Sequence, residues 1–125
     1  MDVKKILLVE DEPVLRKSLE RFLRRKGHEV FSATDYDGAF PLLRTGSIDL
    51  LITDLVLPSG KGFALIEEAK NASRRVKIIV ITAYGSQAVE EKLLRLGVFG
   101  YLEKPFDLAA LSSLVEEPHP VNRES

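Results

Sequence analysis

Cysteine is absent from this 125-residue chain, and histidine occurs only twice, at His28 and His119. The first absence excludes a disulfide framework, a thiolate metal site and a thiol nucleophile. The second excludes a metal centre built on an imidazole cluster, so any metal here has to be a hard cation held by carboxylates. Charge of one sign is missing too: 18 basic and 19 acidic residues leave a formal −1, with no polyanion-binding signature. Long apolar runs are lacking. Ile6 to Val9 and Ile78 to Ile81 are four residues each, against the roughly 20 that a membrane helix needs and the about 7 to 15 of a secretory signal. These absences predict a cytoplasmic chain with no membrane segment and no direct nucleic acid binding. Its length and its 45% apolar and 30% charged residues predict one globular domain.

What is present alternates. Five short runs, Lys5 to Val9, Glu29 to Ala33, Asp49 to Thr53, Lys77 to Thr82 and Phe99 to Glu103, are mostly rich in Val, Ile, Leu or Phe and read as strands. Runs one, three and four are apolar almost throughout, as strands covered on both faces are; runs two and five mix in polar residues and suit sheet edges. Between them lie amphipathic stretches. Leu15, Leu19, Phe22 and Leu23 form one face of a helix from Pro13 to Lys26, with Gly27 placed to cap it. Lys61 to Asn71 and Ser86 to Leu96 read as two more, the latter followed by Gly97. Asp35 to Arg44 is predicted helical but kinked or late-starting, because Pro41 removes a donor and crowds the preceding turn. Asp107 is predicted to cap a last helix from Leu108 to about Glu117, stopped by Pro118 and Pro120, with 118–125 a frayed tail. A βαβαβαβαβα order with short connections predicts an α/β fold: a single, doubly wound parallel sheet with right-handed crossovers and helices on both faces.

In such sheets the ligand crevice lies at the carboxyl ends of the strands. There the sequence places Glu10-Asp11, Asp54, Thr82 and Lys104. Three carboxylates drawn together repel unless a cation joins them, and an oxygen-only donor set favours Mg²⁺ over zinc. A metal alone makes no use of an ammonium or a hydroxyl; both suit the oxygens of a phosphoryl group resting on a carboxylate, which points to Asp54 as the acceptor. Taken singly, each residue has a plain reading: an acid pair in a solvated loop, an aspartate in a turn, a Lys-Pro turn. Their occurrence together at four strand ends carries the inference. The cluster Arg21, Arg24, Arg25 and Lys26 is read as a solvated helix end, His28 as a turn residue, and Ser59-Gly60-Lys61-Gly62 as the turn into the third helix.

From Lys4 to about Glu117 the chain resembles the receiver domain of two-component response regulators. The resemblance rests on Ile6-Leu7-Leu8-Val9-Glu10-Asp11-Glu12-Pro13, on Asp54-Leu55-Val56-Leu57-Pro58 with Gly62, on Ile81-Thr82-Ala83 and on Tyr101-Leu102-Glu103-Lys104-Pro105-Phe106. Spacings of 43 residues from Asp11 to Asp54, 28 from Asp54 to Thr82 and 22 from Thr82 to Lys104 fit the same layout. The fold it implies is a flavodoxin-like (β/α)5 sheet of strand order 2-1-3-4-5, with a receiver domain at 1–117. The function it implies is transfer of a phosphoryl group from a sensor histidine kinase or phosphotransfer protein to Asp54, a shape change read by a downstream partner, and slow hydrolysis. Such a domain is no enzyme beyond its own Mg²⁺-dependent phosphorylation and dephosphorylation. Position by position, Asp11, Asp54 and the backbone carbonyl of Val56 would bind Mg²⁺, with Glu10 acting through water. Thr82 and Lys104 would hold the phosphoryl oxygens, Thr82 and Tyr101 would form the switch pair, and Lys104-Pro105 would be cis. Three other readings compete. A receiver-like module working by contact alone is expected to have lost one of Glu10, Asp11, Asp54, Thr82 or Lys104. A haloacid-dehalogenase-like phosphohydrolase needs an aspartate where Val56 stands. A flavin carrier would meet an acid-lined crevice that repels the cofactor's phosphate.

Overall fold

Alternation in sequence becomes alternation in space. The computed structural model describes residues 2–118 as β1 (Lys5–Val9), α1 (Pro13–Arg25), β2 (Glu29–Ala33), α2 (Tyr36–Arg44), β3 (Leu50–Asp54), α3 (Gly62–Ala72), β4 (Lys77–Thr82), α4 (Gln87–Arg95), β5 (Gly100–Glu103) and α5 (Leu108–Glu116). The strands form one parallel sheet in the order β2-β1-β3-β4-β5. The three apolar runs are its centre: every residue of β3 and β4, and all of β1 except Lys5, is buried. The two mixed runs are its edges, as the sequence predicts.

Successive strand residues face opposite sides, so the central strands feed two cores. Leu7, Val9, Leu51, Ile78 and Val80 pack under α2, α3 and α4 through Ala39, Leu43, Leu65, Ile66, Ala69 and Leu93. Ile6, Leu8, Ile52, Ile79 and Ile81 pack under α1 and α5 through Leu19, Leu23, Leu111 and Val115. Each fully buried aliphatic side chain contributes about 1.5 to 3 kcal/mol relative to exposure. Together these two layers fix the sheet and therefore the positions of its strand ends.

Several expectations need correction. The third strand runs from Leu50 to Asp54, one residue later than predicted, so Asp54 belongs to the sheet rather than to the loop after it. Asp49 still joins the ladder through its backbone, accepting from Lys77 and donating to Lys5, while its carboxylate accepts the Lys5 amide at 2.8 Å. The fifth strand starts at Gly100 rather than Phe99. The second helix does not start late: Asp35 caps it and it is continuous through Pro41. Pro41 and Asp37, whose carbonyl loses its helical donor to the proline ring, are both exposed, so that carbonyl is not buried without a partner. Asp107 stands at the start of α5 without a side-chain capping bond. His28 is a buried acceptor rather than a turn residue, its Nδ1 taking the Lys4 amide at 3.1 Å. Gly27 and Gly97 end α1 and α4 at φ 97° and 79°, the left-handed geometry that glycine adopts without strain. The tail predicted beyond Pro118, with Pro120 and His119, lies outside the described residues.

Candidate functional site

β1 ends at Val9, but its ladder extends one residue, since the Glu10 amide donates to Ala33 at 3.0 Å. The Glu10 carboxylate is fully buried and folds back so that Oε2 accepts the Glu12 amide at 3.0 Å. Glu12 in turn caps α1, its oxygens taking the amides of Val14 at 3.2 Å and Leu15 at 2.7 Å. Pro13 at the first helical position costs no helical bond. Asp11, between them, is exposed. The acid pair of the sequence is thus two different residues physically, one sealed inside and one facing the crevice.

Asp54 ends β3 opposite Ile81 and is 5% exposed. Its Oδ1 accepts the Val56 amide at 2.9 Å, an Asx-type turn that reverses the chain at the strand's end. Just beyond, α3 begins against that turn: a Cβ on Gly62 would lie 1.8 Å from the Leu55 carbonyl oxygen, so only glycine lets the helix start there. Lys104 follows β5, tied to β4 by its amide bond to the Thr82 carbonyl at 2.8 Å, and the Lys104–Pro105 bond is cis. Across 50 residues of sequence its ammonium donates to Asp54 Oδ2 at 2.7 Å, and it lies 2.9 Å from Glu10 Oε1.

One oxygen each of Glu10, Asp11 and Asp54 falls within 4.8 Å of the others. One ammonium facing three carboxylates leaves the crevice short of positive charge. Burial raises the Glu10 pKa, and the neighbouring Asp54 charge adds to it, while Lys104 and the Glu12 amide pull it back in part. Burial pulls Lys104 down, but its hydrogen bond to Asp54 and the carboxylate charges of Asp54 and Glu10 outweigh this and hold it above the usual lysine value. Glu10 Oε1 has no aligned hydrogen-bond donor among the described residues; Lys104 neutralises it as an ion pair without the geometry of a hydrogen bond. A compact set of oxygen donors and a deficit of positive charge are what a hard divalent cation fits.

Thr82 closes the other side of the crevice. It is fully buried at the end of β4, one register step past the partner of Asp54, and its hydroxyl accepts the Tyr84 amide at 3.0 Å. Tyr101 is not drawn into this group. Its ring packs partly against the α2–α4 core, but its hydroxyl donates to Glu103 at 3.0 Å and occupies the space beside Gly85, where a Cβ would lie 2.3 Å from it. Sequence reasoning missed the Glu12 cap, since glutamate is an uncommon N-cap, and missed Arg16, whose guanidinium reaches the carbonyls of Glu10 and Asp11.

The response regulator receiver domain family matches residues 6–116. The response regulator protein PilR of Pseudomonas aeruginosa is 37% identical over 115 residues, covering 92% of this chain and 26% of that protein, so the chain spans about a quarter of this relative's length. A CheY-like response regulator receiver domain protein from Methanospirillum hungatei superposes with a TM-score of 0.86 at 26% identity, covering 92% of each chain. A response regulator from Burkholderia pseudomallei, solved with a phosphorylated aspartic acid, a calcium ion and citrate, superposes with a TM-score of 0.83 at 27% identity, covering 90% of this chain and 66% of that one. The family match across nearly the whole described chain and the superposition on receiver structures agree: this protein belongs to the response regulator receiver domain family.

Proposed function

We propose that this chain is the phosphoacceptor domain of a two-component pathway, with Asp54 taking a phosphoryl group from the phosphohistidine of a sensor kinase or phosphotransfer protein. The observation that carries this reading is the Lys104 ammonium, 2.7 Å from Asp54 Oδ2 at the centre of the acid cluster. In the transfer a carboxylate oxygen of Asp54 bonds to phosphorus, the phosphorus–nitrogen bond breaks, and the leaving imidazole keeps the electron pair and takes up a proton. Asp11, Asp54 and the Val56 carbonyl would hold Mg²⁺, and Glu10 would act on it through water. When bound, the ion supplies positive charge to the phosphoryl oxygens. Lys104 lies on the opposite side of Asp54 from the Val56 amide, since the two engage different oxygens. Its ammonium then shifts from carboxylate to phosphoryl oxygen as the adduct forms. Thr82 supplies its hydroxyl proton to the same group, a capacity separate from the lone pair that accepts the Tyr84 amide.

The chain catalyses only its own phosphorylation and dephosphorylation, within a receiver domain spanning 1–117. No helix among the described residues is long and apolar enough to cross a membrane, in keeping with work in the cytoplasm. Its output goes to a partner protein or domain, with no direct nucleic acid contact from this fold. Incubation with Mg²⁺ and a small phosphodonor such as acetyl phosphate, read by intact mass, is expected to add one phosphoryl group to the wild type and none to Asp54→Asn. Undiminished labelling of the variant would move the acceptor elsewhere.

A further inference from the structure

Asp11 is the exposed member of the acid cluster, and its carboxylate has no hydrogen-bond or ion-pair partner among the described residues. Where it points is therefore decided by the backbone beneath it. That backbone is held from outside the loop. On α1, Arg16 Nη1 donates to the Glu10 carbonyl at 3.0 Å and reaches the Asp11 carbonyl at 3.3 Å. The guanidinium is itself braced: Arg16 Nε lies 4.0 Å from Glu20 Oε2, the same oxygen that accepts the Ser32 hydroxyl of β2. Arg24 approaches the other Glu20 oxygen at 3.8 Å and donates to the Val30 carbonyl of β2 at 3.0 Å. Arg16 and Glu20 are only 18% and 19% exposed, unlike a solvated i, i+4 pair, which holds neither partner in one place.

We propose that Arg16 is a positioning residue for the acidic pocket: it fixes the Glu10–Asp11 backbone so that both carboxylates present to one cation, and Glu20 and Ser32 hold Arg16 in place. The proposal rests on the reading that this pocket takes Mg²⁺. Geometry and charge make opposite demands, which gives the idea a sharp test. A guanidinium near the pocket repels a cation, so if charge alone mattered, removing it would tighten Mg²⁺ binding. If it positions the loop, removing it loosens binding. Lysine keeps the charge but has one nitrogen, which cannot reach the carbonyls and face Glu20 at once as Nη1 and Nε do; methionine keeps the packed stem and loses the charge.

The experiment is a Mg²⁺ titration followed by amide chemical shifts on wild type, Arg16→Lys, Arg16→Met and Asp11→Ala, with urea midpoints and metal-free amide exchange measured on each. Arg16→Lys and Arg16→Met are both expected to weaken Mg²⁺ affinity about tenfold, and to speed exchange of the Asp11 and Glu12 amides without metal. A purely structural role would lower the urea midpoint and leave affinity and loop exchange unchanged. Equal affinity in wild type and Arg16→Lys, or tighter binding by Arg16→Met, overturns the proposal while the metal reading stands, provided Asp11→Ala still loses Mg²⁺. A wild type that takes no Mg²⁺, or binds it as well after Asp11→Ala, overturns the metal reading and this proposal with it. Should Arg16→Met fail to fold, Arg16→Lys decides alone.

Discussion

Glu10 and Asp11 are neighbours in sequence, yet one is fully buried and the other exposed. The difference matters for stability because a sealed carboxylate is costly when ionised. Burial places the Glu10 pKa above the ordinary glutamate value. The folded state therefore binds this proton more tightly than the unfolded chain, and unfolding free energy falls as pH rises from the ordinary value through the raised one. Above that window the full cost is present. Glu10→Gln should remove it: the amide oxygen can still accept from Glu12, and Lys104 keeps Asp54 as its counter-charge. We expect the metal-free variant to gain on the order of 1 kcal/mol at neutral pH and to lose the fall in stability that Glu10 contributes as pH rises, while its Mg²⁺ affinity falls. Urea unfolding from pH 4 to 8 checks this; a less stable variant at pH 7 would show that the Lys104 pair outweighs burial.

At the level of elements, α5 ends without a basic residue of its own in its last turn. The cation that its terminal carbonyls need comes from the sheet instead. Lys77, at the start of β4 and 3% exposed, donates its ammonium to the carbonyls of Leu114, Val115 and Glu117 and lies 4.2 Å from the centre of the Phe99 ring. Lys77→Met should therefore speed amide exchange in the last turn of α5 at pH 7 and leave α1 unchanged. A second signature comes from linkage. Burial, with the Lys4 charge second, lowers the Lys77 pKa to about 8 from 10.5. Between these values the unfolded chain holds a proton that the folded chain has released, so wild-type stability should rise with pH, by at most about 1.4 kcal/mol per unit. Urea midpoints that rise equally in Lys77→Met would assign the effect to another group.

For the molecule as a whole, the crevice lies at the carboxyl ends of β1, β3, β4 and β5, and the elements next to Thr82 and Tyr101 are α4, β5 and α5. Tyr101 lies outward, its hydroxyl on Glu103 beside Gly85, so an inward turn of the ring would exchange that contact for the space near Thr82. Moving such an equilibrium from 1:99 to 99:1 takes about 5.5 kcal/mol of differential interaction. A charge-assisted bond from Thr82 to a phosphoryl group, at roughly 1.5 to 3 kcal/mol, supplies part of that, while Lys104 exchanges its carboxylate contact for a phosphoryl one. Beryllofluoride with Mg²⁺ should therefore change amide exchange along Gln87–Arg95, Gly100–Glu103 and Leu108–Glu116. Changes confined to α1 and α2 would place the output on the opposite side of the molecule.

Much of this protein is fixed by local pattern. Short, nearly continuous apolar runs give the central strands and mixed runs the edges, i, i+4 spacing gives helices, and glycine at 27 and 97 ends two of them, so element order and edge strands follow from residues a few positions apart. The same order sends Glu10, Asp11, Asp54, Thr82 and Lys104 to one end of the sheet. Tertiary structure alone decided the rest. Which of two adjacent acids is sealed, that Lys104 bridges both Glu10 and Asp54, that Arg16 holds the acid loop, that Lys77 caps a helix 37 or more residues away, and that His28 accepts from Lys4 are all contacts between groups on different elements. Propensity and periodicity describe what a segment does with its own neighbours. The partner of a buried charge is chosen only when packing has removed water from around it, because only then does leaving that charge unpaired cost enough to select one geometry.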